Sequence, residues 1–267
     1  MSRDIKQTYT LTFGNAAENH AGMQMLGKDI KNGCSINTLE KISQLFSNSK
    51  YTTEIVDLLP NLPETYRNTP CINYEAKLLI VRKGTVGLVG SIDELEKLFL
   101  ETKHQEVDKQ AWMKGKVVNK HARWNLCYDD FSQEPDYVNK KGRVINFSDV
   151  PYLNKVRKSL LDILKYTGVS IDNLVAEMNY YYDISKYGIG YHGDTERKIV
   201  VGIRLGDSMP LCYQWYFQGA PVGDKIILNL DHGDFYIMSE KAVGTDWKRR
   251  IIPTLRHAAG CSKYTNV

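Results

Sequence analysis

Hydrophobic and polar residues along the chain follow the two periods of secondary structure, and the pattern changes near residue 105. Before this point, strand-like runs are separated by apolar stripes at helical spacing. The predicted elements are an edge or hairpin strand at 9–13, a helix at 38–46 capped by Ser35 or Asn37, a hairpin from 76–82 into 86–89, and a helix after Ser91. The pattern predicts an N-terminal α/β domain over residues 1–105.

Residues 106–267 are dominated by short apolar runs typical of strands. One long helix is the exception, since Pro151 favours its first turn and Gly168 its end. The first core strand is predicted at 174–182, and further strands at 199–206 and 233–238. The fold class expected for the whole chain is therefore α+β, with a strand-rich second domain over 106–267.

The composition places the chain among ordinary soluble proteins, with 42% hydrophobic and 25% charged residues. No apolar run approaches the ~20 residues that span a bilayer, and the first ten residues lack a signal-peptide core. We therefore expect an intracellular protein without a membrane partner. The net charge of +4 permits nucleic-acid binding without requiring it, and the oligomeric state stays open.

The cysteines indicate a reducing compartment. Their number is odd and they show no C-x-x-C spacing, which argues against a disulfide framework and against a structural zinc site. They are Cys34, Cys71, Cys127, Cys212 and Cys261.

Half of a metal site is suggested by His192-Gly193-Asp194. On an extended strand, residues two apart place their side chains on one face, so the imidazole and the carboxylate would lie together. His257, 65 residues further on, could complete a 2-His-1-carboxylate triad. Such a triad leaves open positions on ferrous iron for a bidentate co-substrate and for dioxygen.

A second H-x-D occurs at His232-Gly233-Asp234 and offers an alternative. Only 23 residues separate Asp234 from His257, which is too few for the roughly four strands of 5–6 residues that a two-sheet roll places between its ligands. This tripeptide lies between two apolar runs and is typical of a hairpin connection. A His192/Asp194/His232 set is not excluded by length, but it would leave His257 unused.

Four segments together resemble the AlkB type of iron- and 2-oxoglutarate-dependent dioxygenases. They are Asn179-x-Tyr181, GIGYHGDTE at 188–196, IVVGIRLG at 199–206 and GDFYIM at 233–238, and the resemblance covers about residues 177–260. It implies a double-stranded β-helix (jelly-roll) core and Fe(II) on His192, Asp194 and His257. It also implies 2-oxoglutarate and O2 as co-substrates, with DNA or RNA carrying alkylated bases as the partner.

The family's arginine strand, Arg-aromatic-Asn-Leu, follows the last metal histidine and binds the distal carboxylate of 2-oxoglutarate. Here the sequence ends ten residues after His257, whereas a similar string, Arg123-Trp124-Asn125-Leu126, occurs upstream. The resemblance therefore implies a circular permutation, with Arg123 as a bidentate carboxylate ligand and its strand in the sheet of the His257 strand. The alternative is an ordinary strand with a snorkelling arginine. The family's second arginine falls on Asp129, and Arg204 is the reserve candidate.

Further contacts come from the same resemblance. Asn179 and Tyr181, with Asn125 beside Arg123, match positions near the co-substrate. Glu196 lies where such enzymes hydrogen-bond a flipped base, and Thr195 replaces a commonly acidic residue.

Three further residues are substrate candidates with an ordinary alternative. Tyr180 could stack on a base, although core packing is the commoner use of such residues. Arg249 and Arg250 could bind phosphates, although a solvated basic face is the default interpretation.

Three functions are thus compatible with the sequence. The first is oxidation of an alkylated base, by demethylation or hydroxylation. The second is the same chemistry on a protein side chain or a small molecule, and the third is a jelly-roll binding module without turnover.

Overall fold

A computed structural model describes residues 5–68 and 72–267. The strands are β1 (Thr8–Gly14), β2 (Ala16–Glu18), β3 (Met25–Gly27), β4 (Thr53–Asp57), β5 (Lys77–Val81), β6 (Gln110–Met113), β7 (Lys116–Asn119), β8 (Trp124–Asp129), β9 (Val144–Asn146), β10 (Val175–Tyr181), β11 (Gly188–His192), β12 (Val201–Gly206), β13 (Met209–Phe217), β14 (Ala220–Leu230), β15 (Phe235–Met238) and β16 (Thr254–Gly260). The α-helices are α1 (Ile36–Asn48), α2 (Thr85–Val89), α3 (Ile92–Lys103), α4 (Pro151–Tyr166), α5 (Glu240–Val243) and α6 (Ser262–Thr265), and 3₁₀ turns occupy Leu59–Asn61, Glu64–Tyr66 and Phe147–Asp149.

Two sheets dominate the fold. The larger has eight strands in the order β4-β5-β15-β12-β1-β10-β8-β9, and the smaller has four in the order β11-β16-β13-β14. All neighbouring strands are antiparallel except β8 and β9. The protein is therefore a mixed α/β structure in which strands predominate, in agreement with the broad fold class predicted.

Two hydrophobic cores lie on opposite faces of the large sheet. On one face, Leu11 and Phe13 of β1 pack with α1, α3 and α4. On the other, Tyr236 and Met238 of β15 pack with residues of the small sheet such as Trp215. The order is helices, large sheet, small sheet, and the polar residues between the two sheets form the site described below.

Strand β1 shows why the chain does not fall into two separate sheets near residue 105. It pairs with β10 on one side and with β12 on the other. The predicted edge or hairpin strand at 9–13 is therefore wrong, because this strand lies in the middle of the large sheet. Strands β4 and β5 join the same sheet through β15, so residues before and after 105 share one sheet and its cores.

The predicted place of the Arg123 strand is also wrong. Arg123 directly precedes β8, which belongs to the large sheet beside β10, whereas the strand of His257 is β16 in the small sheet. Within the large sheet, the position between β10 and β12 is taken by β1. Local alternation identified both strands correctly, but it carries no information about which strand pairs with which.

Several local predictions are confirmed. Ser35 and Ser91 cap α1 and α3 with their side chains, and α4 begins at Pro151. The predicted return strand at 86–89 is wrong: these residues form helix α2, which ends at Gly90 with a φ of 106°. Cys34, Cys127, Cys212 and Cys261 are free thiols, and Cys71 lies outside the described residues.

Across residues 5–68 and 72–267, no helix has both the length and the hydropathy needed to cross a membrane.

Candidate metal centre and its cavity

His192, Asp194 and His257 lie together, as the sequence predicts. His192 ends β11 and is the direct cross-strand partner of His257 on β16, with ring centroids 4.5 Å apart. The Oδ1 atom of Asp194 lies 3.8 Å from Nε2 of His192 and 3.9 Å from Nε2 of His257. These distances approach twice a metal–ligand bond of roughly 2.0–2.2 Å, so one ion could bridge all three side chains after a small adjustment.

Gly193 explains the middle position of the motif. A Cβ atom there would lie 2.1 Å from the carbonyl oxygen of Gly244. The next residue, Asp194, donates its backbone N–H to Val243 at 3.1 Å. Glycine therefore allows the chain to pass against the segment after α5, which fixes Asp194 in front of the histidines.

The surroundings of the two histidine rings also suit a divalent cation. Nδ1 of His192 lies 2.8 Å from the carbonyl oxygen of Gly190, so this nitrogen donates and Nε2 is left with its lone pair. Burial holds the pKa of His257 well below its ordinary value, and the neighbouring His192 and Arg197 act in the same direction. Two imidazole nitrogens and one carboxylate oxygen form an N2O donor set of the kind that holds transition metals.

The second H-x-D has a structural role. Gly206 donates its backbone N–H to Nδ1 of His232 at 3.0 Å, and Nε2 faces Glu96 at 3.4 Å. The buried carboxylate of Asp234 accepts from the backbone of Lys83 and from the guanidinium of Arg82. The prediction of a turn at His232 is confirmed, and its side chain lies outside the cavity of the triad.

A cavity of about 610 Å³ lies between the two sheets. The small sheet contributes the two histidines, and the large sheet contributes a polar row on its inner face. That row consists of four direct cross-strand partners on adjacent strands: Asn125, Asn179, Thr10 and Arg204. Of these four, all but Asn125 line the cavity.

Arg204 is a buried cation that lacks an acidic partner among the described residues. Its side chain is 1% exposed and its Nη1 donates to the hydroxyl of Thr10. Within the described part of the chain, its Nε has no hydrogen-bond partner and its guanidinium forms no ion pair. Burial lowers the pKa of Arg204, partly offset by nearby Tyr236, Tyr181 and Asp234. A desolvated guanidinium in a cavity wall is suited to bind an anion.

Arg123 lines the same cavity but in a different setting. It is half-buried, and its Nε donates to Oδ1 of Asn179 at 2.6 Å. Asn125 lies one step behind the wall and donates to Asn179 and Glu177. Tyr181 is buried and lines the cavity near the two arginines. Burial raises its pKa, and the positive charges of Arg123 and Arg204 reduce that rise.

Glu196 and Thr195 line the cavity beside the metal-ligand triad. Glu196 is held by Arg197, whose guanidinium also binds Glu177 at 2.7 Å and approaches Asp194 at 3.8 Å. Burial disfavours the charged form of Arg197, but these three carboxylates outweigh that effect and raise its pKa. Arg197 therefore fixes the position of three acidic side chains around the candidate site.

Three predicted substrate residues are not brought to the cavity. Tyr180 faces the helical side of the large sheet and stacks on Tyr9, with centroids 4.4 Å apart, because successive residues of a strand point to opposite faces. Arg249 and Arg250 lie on the exposed surface after α5, where Arg250 donates to the carbonyl of Gln218. Their neighbour Lys248 does reach the cavity wall.

Comparison with known sequences adds one relative. No family model matches the chain. "Uncharacterized protein R156" of Acanthamoeba polyphaga mimivirus is 49% identical to it over 262 residues, which cover 98% of each protein. The chain belongs to the family of this mimivirus protein. The shared length means that the cavity-forming segments at both ends of the chain fall within the aligned region, since a stretch of that extent omits only a few residues.

Several cavity residues were missed from the sequence. Thr10 of β1, Tyr236 of β15, Glu177 of β10 and Glu18 of the β2–β3 hairpin all line it. The alternation Thr8-x-Thr10-x-Thr12 was visible and indicated one polar face. Nothing in it indicated that this face would meet a metal-ligand set more than 180 residues away along the chain.

Proposed function

We propose that this protein is an Fe(II)- and 2-oxoglutarate-dependent dioxygenase with a circularly permuted jelly-roll core of the AlkB type. One observation carries the proposal: a His-Asp-His donor set and a buried arginine that has no acidic partner in residues 5–68 and 72–267 line the same cavity. 2-Oxoglutarate needs both features, because one of its ends chelates the metal while its distal carboxylate needs a cation.

Arg204 is the residue we assign to that distal carboxylate, in place of Arg123. It is fully buried, already oriented by Thr10, and has donor capacity left. The guanidinium fork can bind a carboxylate by two parallel hydrogen bonds. The hydroxyl of Thr10 and the phenols of Tyr181 and Tyr236 are polar groups of the same wall. Arg123, by contrast, is tied to Asn179 and is only half-buried.

The permutation is proposed in a changed form. Strand β1, between β10 and β12, takes the place of the strand that follows the last metal histidine in the AlkB type. Its support is that Thr10 faces the cavity beside Arg204 and Asn179. The strand after Arg123 is then an addition on the far side of β10.

When bound, iron with 2-oxoglutarate and O2 supplies oxidative decarboxylation, in which one oxygen atom enters succinate, CO2 leaves, and the other oxygen is inserted into a substrate C–H bond. The protein positions the reactants. Gly190 orients the ring of His192 through Nδ1, which keeps Nε2 directed at the metal position. Arg197 holds Asp194 beside the histidines.

The resemblance favours an alkylated nucleic-acid base as the substrate. A protein side chain or small molecule is the second candidate, favoured because Arg249 and Arg250, the expected phosphate ligands, lie outside the cavity lining. A binding module without turnover is the third. It would use the same cavity for a carboxylate ligand and would form no succinate.

Succinate formation tests the proposed chemistry without knowledge of the substrate. Purified protein with Fe(II), ascorbate and 2-oxoglutarate should release succinate slowly in air, and omission of either iron or O2 should stop it. Anaerobic titration of 2-oxoglutarate into the Fe(II) protein should produce a visible charge-transfer absorption. If neither succinate nor the absorption appears although Fe(II) binds, the dioxygenase proposal is wrong and the binding module replaces it.

A further inference from the structure

The cavity reaches the surface at the turn of the β2–β3 hairpin, because Ala21 and Gly22 of this turn line it and are exposed. Half-buried Glu18 and Arg123 also line it, and we call this part of the lining its mouth. Asn19 in this turn is 4% exposed and donates to the buried carboxylate of Asp108 at 2.7 Å, while it accepts from Lys120 at 2.7 Å. The turn is therefore fixed to the body of the protein. Glu18 and Arg123 are held in defined positions at the mouth before any ligand binds.

Glu18 and Arg123 are each held by one hydrogen bond to an uncharged group. Oε1 of Glu18 accepts from the backbone of Gly22 at 2.6 Å, and Nε of Arg123 donates to Asn179. In residues 5–68 and 72–267, neither side chain has an ion-pair partner, and the remaining oxygen of Glu18 and both Nη atoms of Arg123 make no hydrogen bond. Each is thus oriented by a neutral contact and keeps its charge free.

The two charges lie in opposite electrostatic surroundings. Burial raises the pKa of the Glu18 carboxyl, and the like charges of Glu196 and Glu177 contribute to this rise. Burial lowers the pKa of Lys120 to about 8; the charge of Asp108 opposes this shift, and the charge of neighbouring Arg123 adds to it. A cation beside Glu18 and an anion beside Arg123 would relieve both repulsions.

The charges of the whole lining agree with this division. Four acidic and four basic side chains line the cavity: Glu18, Glu177, Asp194 and Glu196, and Arg123, Arg197, Arg204 and Lys248. Arg197 is engaged by three of the carboxylates, and the proposed co-substrate engages Arg204. The charges that remain to face a substrate are the carboxylate of Glu18, the guanidinium of Arg123 and the exposed ammonium of Lys248, which lies over the ring of Trp247.

From this arrangement we propose that the substrate subsite takes a small zwitterion of the amino-acid class, with its cationic amine on Glu18 and its carboxylate on Arg123. The inference rests on the proposed function, since it names the substrate class of that site. It assigns a substrate role to Arg123 and introduces Glu18 as a specificity-determining residue.

The test measures ligand binding separately from turnover. Protein loaded with Mn(II) and N-oxalylglycine, an unreactive analogue of 2-oxoglutarate, is screened by thermal shift and calorimetry against the twenty free amino acids. For each amino acid that binds, its N-acetyl form and its amide are compared, because the first lacks the cation and the second lacks the carboxylate. Single-stranded DNA and RNA oligonucleotides with N-methylated adenine or cytosine form the opposing arm.

At least one free amino acid should raise the melting temperature, and its affinity should fall at least tenfold in Glu18→Gln and in Arg123→Gln. The affinity for the N-acetyl form should not change in Glu18→Gln, because this ligand lacks the amine that Glu18 binds. The affinity for the amide should not change in Arg123→Gln, because this ligand lacks the carboxylate that Arg123 binds. Glu64→Gln and Arg249→Gln, at exposed positions outside the cavity, are the matched controls and should leave affinity unchanged.

Two results would overturn the proposal. One is binding of the methylated oligonucleotides without binding of any amino acid, which assigns the mouth to nucleic acid. The other is binding of an amino acid that neither variant weakens. Succinate formation with 2-oxoglutarate alone is measured on the same preparation, so the zwitterion site can fail while the dioxygenase function stands, and loss of both is recognised as failure of the proposed function.

Discussion

The same three residue types, His-Gly-Asp, occur at 192–194 and at 232–234, and the fold uses them in opposite ways. In the second tripeptide, both side chains are engaged by the protein: Asp234 accepts from Arg82 and two backbone amides, and His232 accepts from Gly206 through Nδ1 while its Nε2 faces Glu96 at 3.4 Å. In the first, Nε2 of His192 and the carboxylate of Asp194 face a cavity. An H-x-D motif therefore indicates chemistry only where the surrounding fold leaves its donor atoms unsatisfied.

The largest expected difference between the two motifs is in turnover. His257→Ala, His192→Ala or Asp194→Ala should each lower 2-oxoglutarate turnover by more than about 100-fold, because loss of a ligand should exceed the 10–100-fold effect typical of its supporting contacts. His232→Ala is the matched control and should keep most of the activity. Succinate release with saturating Fe(II) measures this. Retained turnover in His257→Ala together with its loss in His232→Ala would reverse the assignment.

The next difference is in stability, where a change in the second motif should have the larger effect. Asp234→Ala should lower the free energy of unfolding by about 2–4 kcal/mol, because it leaves buried amides and Arg82 without their acceptor. Asp194→Ala should cost less than about 1 kcal/mol in metal-free protein, since Arg197 keeps Glu177 and Glu196. Urea unfolding in the presence of a chelator provides both values. Equal losses would show that Asp194 is a structural residue.

Arg204, the buried cation in the same cavity as the first motif, provides a third comparison. Arg204→Lys should weaken 2-oxoglutarate binding about tenfold or more, because a lysine keeps the charge but loses the two-pronged contact. Metal affinity should be nearly unchanged. Arg123→Lys serves as the matched change and should alter 2-oxoglutarate affinity little. Anaerobic titration followed by the charge-transfer absorption separates the two variants, and the reverse ranking would restore Arg123 as the carboxylate ligand.

The smallest effect concerns pH and the second motif. Burial lowers the pKa of His232 in the folded protein, so the unfolded chain binds more protons as the pH falls through the ordinary histidine range. The protein should therefore lose stability on acidification below about pH 6.5. Protonation of His232 also removes the nitrogen acceptor to which Gly206 donates. His232→Asn should flatten this part of the pH dependence in metal-free protein. An unchanged slope would contradict the role given to His232.

Local sequence determined much of the framework. Alternation and caps located β10, β12, α1, α3 and α4, because these signals depend on neighbours a few residues apart. The spacing of His192 and Asp194, with His257 after a sufficient number of strands, was enough to select the three side chains that the fold brings together.

Tertiary structure alone decided the partners of each element. The five residues at 9–13 alternate in the same way whether their strand lies at an edge or in the centre, and only pairing with β10 and β12 places Thr10 beside Arg204. Likewise, an arginine in a strand can be exposed or buried, and the sequence around Arg204 does not say whether an acid will neutralise it. The grouping of His192, Asp194 and His257 was thus readable from spacing, whereas the surroundings of Arg204 and the mouth of the cavity required long-range packing, which no local pattern encodes.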